Sequence, residues 1–135
     1  MTDTQILRGL TTVSFWAADL AAAKTWYSEL LGTEPYFERP GYLEFRLGDY
    51  QHELGIIDSR YAPGGGAATG PGGAIVYWHV DDLTATLARL LSLGAKEYQP
   101  PTEYGEGFVT AAVVDPFGNI LGVMFNRHYL DVLAS

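Results

Sequence analysis

Cysteine is absent from these 135 residues. That excludes disulfides, thiolate metal ligands and a thiol nucleophile, and it fits a reducing, cytoplasmic setting. Basic side chains are few: 8 Lys and Arg against 16 Asp and Glu leave a formal net charge of −8. They form no run, and an acidic surface repels phosphate backbones, so no nucleic acid partner is expected. No apolar run approaches the roughly 20 residues of a membrane-spanning helix. Residues 1–9 lack the basic start and apolar stretch of a secretion signal, so no membrane partner is expected and the location expected is cytoplasmic. Without thiols, any metal would need His, carboxylate or amide ligands, and there are only 3 His to offer.

What is present has the composition of a folded domain, with 47% apolar and 18% charged residues. Residues 12–17, Thr-Val-Ser-Phe-Trp-Ala, are β-branched and aromatic and predict a strand. Asp19 then stands where its carboxylate can accept the free amides of a first helical turn. Leu20, Ala23, Tyr27, Leu30 and Leu31 recur at helical spacing, and Gly32 can close the helix in the left-handed conformation. The same order returns half a chain later. Residues 75–80 predict a strand, Asp82 a cap, Leu83, Leu87, Leu90 and Leu91 an apolar stripe, and Gly94 a stop.

Three short β-rich runs separated by turn residues follow each helix. They cover 35–38, 42–47 and 51–57 in the first half, then 96–99, 108–114 and 119–125 in the second, where residues 100–107 serve as a separator. The repeat predicts two βαβββ modules in a single domain spanning 1–135. Module one covers about 9–61, a Gly-rich linker 62–73, module two about 74–126, and a C-terminal tail 127–135. The Gly-rich stretch lacks both the Gly-Lys-Ser/Thr ending and the helix-opening GxGxxG of phosphate loops, so it reads as a linker. Tyr129, Leu130, Val132 and Leu133 give the tail enough apolar surface to dock on its own sheet or on a second subunit.

Several local motifs sharpen this order of elements. They are Val13-Ser14-Phe15-Trp16-Ala17-Ala18-Asp19-Leu20 with Tyr27-Ser28-Glu29-Leu30-Leu31-Gly32, then Val80-Asp81-Asp82-Leu83, and above all the turn Asp115-Pro116-Phe117-Gly118-Asn119. From about Thr11 to Asn126 the chain resembles the vicinal oxygen chelate superfamily of glyoxalases, bleomycin-resistance proteins and dioxygenases. The resemblance implies an α+β fold of two tandem βαβββ modules, forming a curved, mostly antiparallel sheet around a cavity with helices outside. It also implies four metal-ligand positions, ordinarily His and Glu, which fall here on Thr12, Glu53, Ile75 and Gly122. Only Glu53 is a good ligand, so no metal and no cofactor are expected.

Strand alternation sorts the cavity candidates. Thr12, Ser14 and Trp16 face in, as do Gln51, Glu53, Gly55 and Ile57, then Ile75, Tyr77 and His79, then Ile120, Gly122 and Met124. Apolar and aromatic walls with a few polar groups suit a small organic ligand, although aromatics on strands also serve simply as packing. Glu53, as a buried carboxylate, would need a partner, and His79 across the cavity is the candidate. The expected function is binding or sequestration of a small, partly aromatic molecule without a catalytic metal, as bleomycin-resistance-type proteins do. One alternative is a metal-free isomerase or lyase using Glu53 or His79 as acid or base. Another is a metal-dependent lyase or dioxygenase with a shifted ligand set. Since family members pair modules across dimers, a homodimer is expected.

Overall fold

Asp19 and Asp82 start the two principal helices as their sequence context predicts. In the computed structural model, which describes residues 6–62 and 70–135, Asp19 accepts the Ala22 amide and Asp82 the Ala85 amide, each at 3.0 Å. Such caps contribute about 1 kcal/mol apiece. Helix α1 (Leu20–Leu31) closes on Gly32 at φ 70°. Helix α2 (Leu83–Ser92) is followed by Leu93 and then by Gly94 at φ 99°.

Each helix belongs to one βαβββ module. Module one holds β1 (Thr12–Ala17), α1, β2 (Phe37–Arg39), β3 (Tyr42–Leu47) and β4 (His52–Asp58), with a one-turn 3-10 helix at Ser59–Tyr61. Module two holds β5 (Tyr77–His79), α2, β6 (Lys96–Glu103), β7 (Phe108–Val114) and β8 (Ile120–Asn126). The tail folds as α3 (Arg127–Ala134). The two four-stranded sheets are mixed and open, ordered β1-β4-β3-β2 and β5-β8-β7-β6. The first strand of each module runs parallel to its last, and the remaining pairs are antiparallel.

Several boundaries depart from the sequence expectation. Strand β5 is three residues long instead of six, although the Val76 carbonyl still accepts the Gly122 amide and the Val80 amide still reaches the Met124 carbonyl. Strand β6 continues through Pro100 and Pro101, which had read as a separator; the register with β7 shifts there, and β6 is an edge strand. Edge strands at irregular register are where proline's missing donor costs nothing. Arg39 belongs to β2 rather than to the following turn. The tail is helical, and Asn126 caps it by accepting the Tyr129 amide at 3.1 Å. The linker reading over 62–73 falls in part on 63–69, outside the described residues.

One apolar core joins the modules. Val13, Phe15 and Ala17 of β1, Leu54 and Ile56 of β4, Leu121 and Val123 of β8, and Ala111 and Val113 of β7 pack with Tyr27 of α1 and Leu90 of α2. Among the described residues, α1 and α2 both pack on the core side of the sheets and leave the other face to strand side chains.

Candidate functional site

The uncovered face of module one is charged and hydrogen-bonded. Register places Thr12 beside Glu53, Ser14 beside Gly55 and Trp16 beside Ile57. On the next strand Arg46 lies opposite Glu53, Glu44 opposite Gly55 and Tyr42 opposite Ile57. The Thr12 hydroxyl donates to Glu53 Oε1 at 2.7 Å, and Arg46 stands 3.8 Å from the other Glu53 oxygen and 3.6 Å from Glu44. Tyr42 donates to Glu44 at 2.8 Å. Its hydroxyl is pushed up to about 12 by burial first, then by that hydrogen bond and by the charges of Glu44 and Glu53, so at neutral pH it acts as a donor. Gly55 makes the arrangement possible: a Cβ there would meet the Tyr42 ring and hydroxyl at 3.0 Å. Alternation along β3, with Leu43 and Phe45 in the core, would have found Tyr42, Glu44 and Arg46.

The matching face of module two is apolar. Tyr77 pairs with Gly122 and His79 with Met124, while Val114, Ala112 and Thr110 lie opposite Ile120, Gly122 and Met124. The Tyr77 hydroxyl reaches across to Gln99 on β6 at 2.6 Å. At Gly122 a Cβ would strike the Val76 carbonyl oxygen at 2.6 Å and Tyr77 at 2.8 Å, so only glycine admits this crossing. The Thr110 hydroxyl is buried with no hydrogen-bond partner among the described residues.

Register also revises the expected metal positions. Ser14 pairs with Gly55 as Tyr77 pairs with Gly122. The counterpart of Gly122 is therefore Gly55, and the counterpart of Glu53 is Ile120. Glu53 is held by Thr12 and faces the Arg46 cation. Among the described residues no group of three or more His, Cys, Asp or Glu could hold a metal. A threonine, an isoleucine and two glycines do not make a divalent-metal donor set.

The structure does not join Glu53 to His79. The His79 ring turns around the edge strand toward α3, stacking on Tyr129 at 4.9 Å with 12° between planes. Its Nδ1 accepts the Asn126 amide at 3.1 Å and its Nε2 lies 3.1 Å from Asp81. An edge strand leaves its side chains free to make that turn. Gln51 is likewise not on the strand: it sits in the β3–β4 turn at φ 55°, exposed, with its amide donating to the Gly48 carbonyl at 3.1 Å. Thr12, Ser14, Trp16, Glu53, Ile57, Ile120, Gly122 and Met124 lie on the two uncovered faces by strand register, and Ile75 precedes β5 within reach of Gly122.

A cavity of about 480 Å³ lies on the opposite, helix-covered side, between the modules. Of the expected ligand-binding residues only Tyr77 and His79 line it, from the edge strand β5. The modules are also tied together by a buried Asp115. This carboxylate accepts the Tyr27 hydroxyl, the Phe117 and Asn119 amides at 2.9 and 2.8 Å, and the Asn119 side chain at 3.0 Å. Burial first, and the Asp115 charge second, hold the Tyr27 hydroxyl well above the usual tyrosine range.

Comparison with known proteins agrees with this architecture. The family description Glyoxalase/Bleomycin resistance protein/Dioxygenase superfamily matches residues 9–123. A glyoxalase-related enzyme from Fulvimarina pelagi superposes with a TM-score of 0.68 at 22% identity, covering 89% of each chain. Lactoylglutathione lyase from Agrobacterium tumefaciens gives 0.65 at 21% identity, covering 89% of this chain and 95% of that one. A bleomycin resistance determinant encoded on the transposon Tn5 gives 0.60 at 22% identity, over 89% and 99%. Among curated protein sequences none matches.

Proposed function

We propose, since the chain belongs to the Glyoxalase/Bleomycin resistance protein/Dioxygenase superfamily, that it binds and sequesters a small, partly aromatic organic molecule without a catalytic metal. The contrast between the two uncovered faces carries this reading. Glu44, Arg46 and Glu53 stand on one; Ala112, Val114 and Ile120 stand at the matching positions of the other, where Ala112 and Ile120 are buried and Tyr77, Val114 and Met124 are half-exposed. A ligand between them would be amphipathic, with rings against the apolar face and a hydrogen-bonding or cationic group toward Glu44 and Glu53. In a homodimer, module one of each copy would close over module two of the other, and the reading puts the ligand there.

The acid–base alternative has less behind it. Glu53 already accepts from Thr12, and both His79 nitrogens have partners.

The test uses untagged protein from metal-supplemented growth, examined by elemental analysis, light scattering and native mass spectrometry against a library of aromatic amines and phenols. The expected result is a dimer with negligible metal and a saturable ligand that quenches Trp16. Glu44→Gln should weaken binding about tenfold, the scale of one lost charge-assisted contact. One tightly held metal per chain, or no saturable binder anywhere in the library, would sink the reading.

A further inference from the structure

The cavity between the modules is a different place from the uncovered faces. Its walls come from both modules: Leu30 of α1, Leu54 of β4, Trp78 of β5 and Leu90 of α2 stand around it, all from the helix-covered side. Its volume of about 480 Å³ falls within the roughly 300–1,000 Å³ range of ligand sites. Apolar walls give water few hydrogen bonds, so an apolar ligand would displace it readily.

Part of the cavity lining is polar. Asp49 of the β3–β4 turn lines it but is occupied by the Tyr129 hydroxyl at 2.6 Å. His52 also lines it, with its ring 6.0 Å from Tyr50 and 6.3 Å from Trp78. Among the described residues neither His52 nitrogen makes a hydrogen bond. Alternation along β4 turns His52 away from Glu53, so it cannot serve the charged face.

From this we infer that the inter-module cavity is a second binding site, for a neutral, ring-containing and mainly apolar molecule with one group that hydrogen-bonds to His52. The aromatic rings of Trp78 and His52 suit a flat ligand. The site is independent of the proposed ligand on the uncovered faces, and either can fail without the other.

The test is a fluorescence titration with N-phenyl-1-naphthylamine, a neutral two-ring probe with a single N–H donor, which brightens in apolar surroundings. Saturable brightening is expected. Thr86→Phe, which fills the cavity from the partly exposed side of α2, should weaken it about tenfold or more, and His52→Phe, which keeps the ring and removes the acceptor, by several-fold. Ser14→Trp, which crowds the charged face, should leave probe affinity unchanged. Methyl NMR of the unaltered protein answers the same question should a variant fold poorly: probe-induced shifts at Leu30, Val76 and Leu90 are expected. The inference is overturned by absence of saturable brightening, by loss of affinity in Ser14→Trp with Thr86→Phe unaffected, or by shifts confined to Ile57, Ile120 and Met124.

Discussion

Set strand by strand against each other, the two modules agree on one side of their sheets and diverge on the other. On the helix-covered side Val13 answers Val76, Phe15 answers Trp78, Leu54 answers Leu121, Ile56 answers Val123 and Phe45 answers Val113. Every one of these packs in or against the shared core. On the uncovered side Glu44 answers Ala112, Arg46 answers Val114, Glu53 answers Ile120 and Ser14 answers Tyr77. Gly55 and Gly122 are the exception, identical on the divergent side. Packing in the shared core therefore fixes the chemistry of one side in both modules; the other side is charged and half-exposed in module one, and apolar, with Ala112 and Ile120 buried, in module two. The proposed site would therefore have two unlike walls.

The β-turns before the last strands sharpen the contrast, and the largest expected effect lies there. Asp115 is buried with four donors, two of them backbone amides of its own turn and one the Tyr27 hydroxyl of module one. Asp49, in the turn of module one, is exposed and accepts a single hydroxyl. Asp115→Ala would orphan several buried donors at once, and at about 1–3 kcal/mol each the expected loss is about 4 kcal/mol. Urea unfolding measures it as a lowered midpoint at unchanged slope. A loss below about 1 kcal/mol would mean that water replaces the carboxylate and that the turn does not tie the modules together.

Next in size is the pair of shared glycines. An added methyl at Gly122 meets a backbone carbonyl oxygen at 2.6 Å, which cannot move without shifting β5. At Gly55 it meets only the Tyr42 side chain at 3.0 Å. Gly122→Ala should cost about 2–3 kcal/mol as an overpacking strain, and Gly55→Ala less than about 1 kcal/mol as Tyr42 swings aside. Equal losses would show that Tyr42 is as fixed as backbone and that the charged face is preorganised.

Much of this was legible in the sequence because it is local. Caps at Asp19 and Asp82 need only neighbouring amides, and the Val13-Phe15-Ala17 alternation needs only a strand and one buried face. Strand register was not legible. The sequence count put Glu53 at a family ligand position, and only the pairing of Ser14 with Gly55 shows that Gly55 is the counterpart of Gly122. Edge strands misled for a related reason: with a neighbour on one side only, β6 tolerates two prolines and β5 lets His79 turn to α3. The Asp115–Tyr27 bond spans 88 residues, a distance at which no local rule operates. The α3 cap, by contrast, could have been found, since an Asn followed by Tyr, Leu, Val and Leu at helical spacing is a start signal.

The smallest expected effect tests whether the same bond between tyrosine and aspartate has a different worth at the surface. Tyr129 of α3 donates to Asp49 as Tyr27 donates to Asp115, but from a half-buried position. Tyr129→Phe keeps the stack on His79 and removes only that bond, so the loss at pH 8 should stay under about 1 kcal/mol. The hydrogen bond to Asp49 first, and burial second, push the Tyr129 hydroxyl up to about 12, against about 10 in the unfolded chain. A raised acidic group stabilises the fold below its unfolded value, and that contribution fades as pH climbs from about 10 through about 12. The urea midpoints of the unaltered and Tyr129→Phe proteins should therefore differ at pH 8 and converge toward pH 12. Tyr27 is also raised and will weaken both proteins alike over the alkaline range, so the difference between them, not either midpoint, carries the answer. A gap that widens with pH would mean that the ionised Tyr129 is still held at the surface, and that α3 docks through its ring rather than through Asp49.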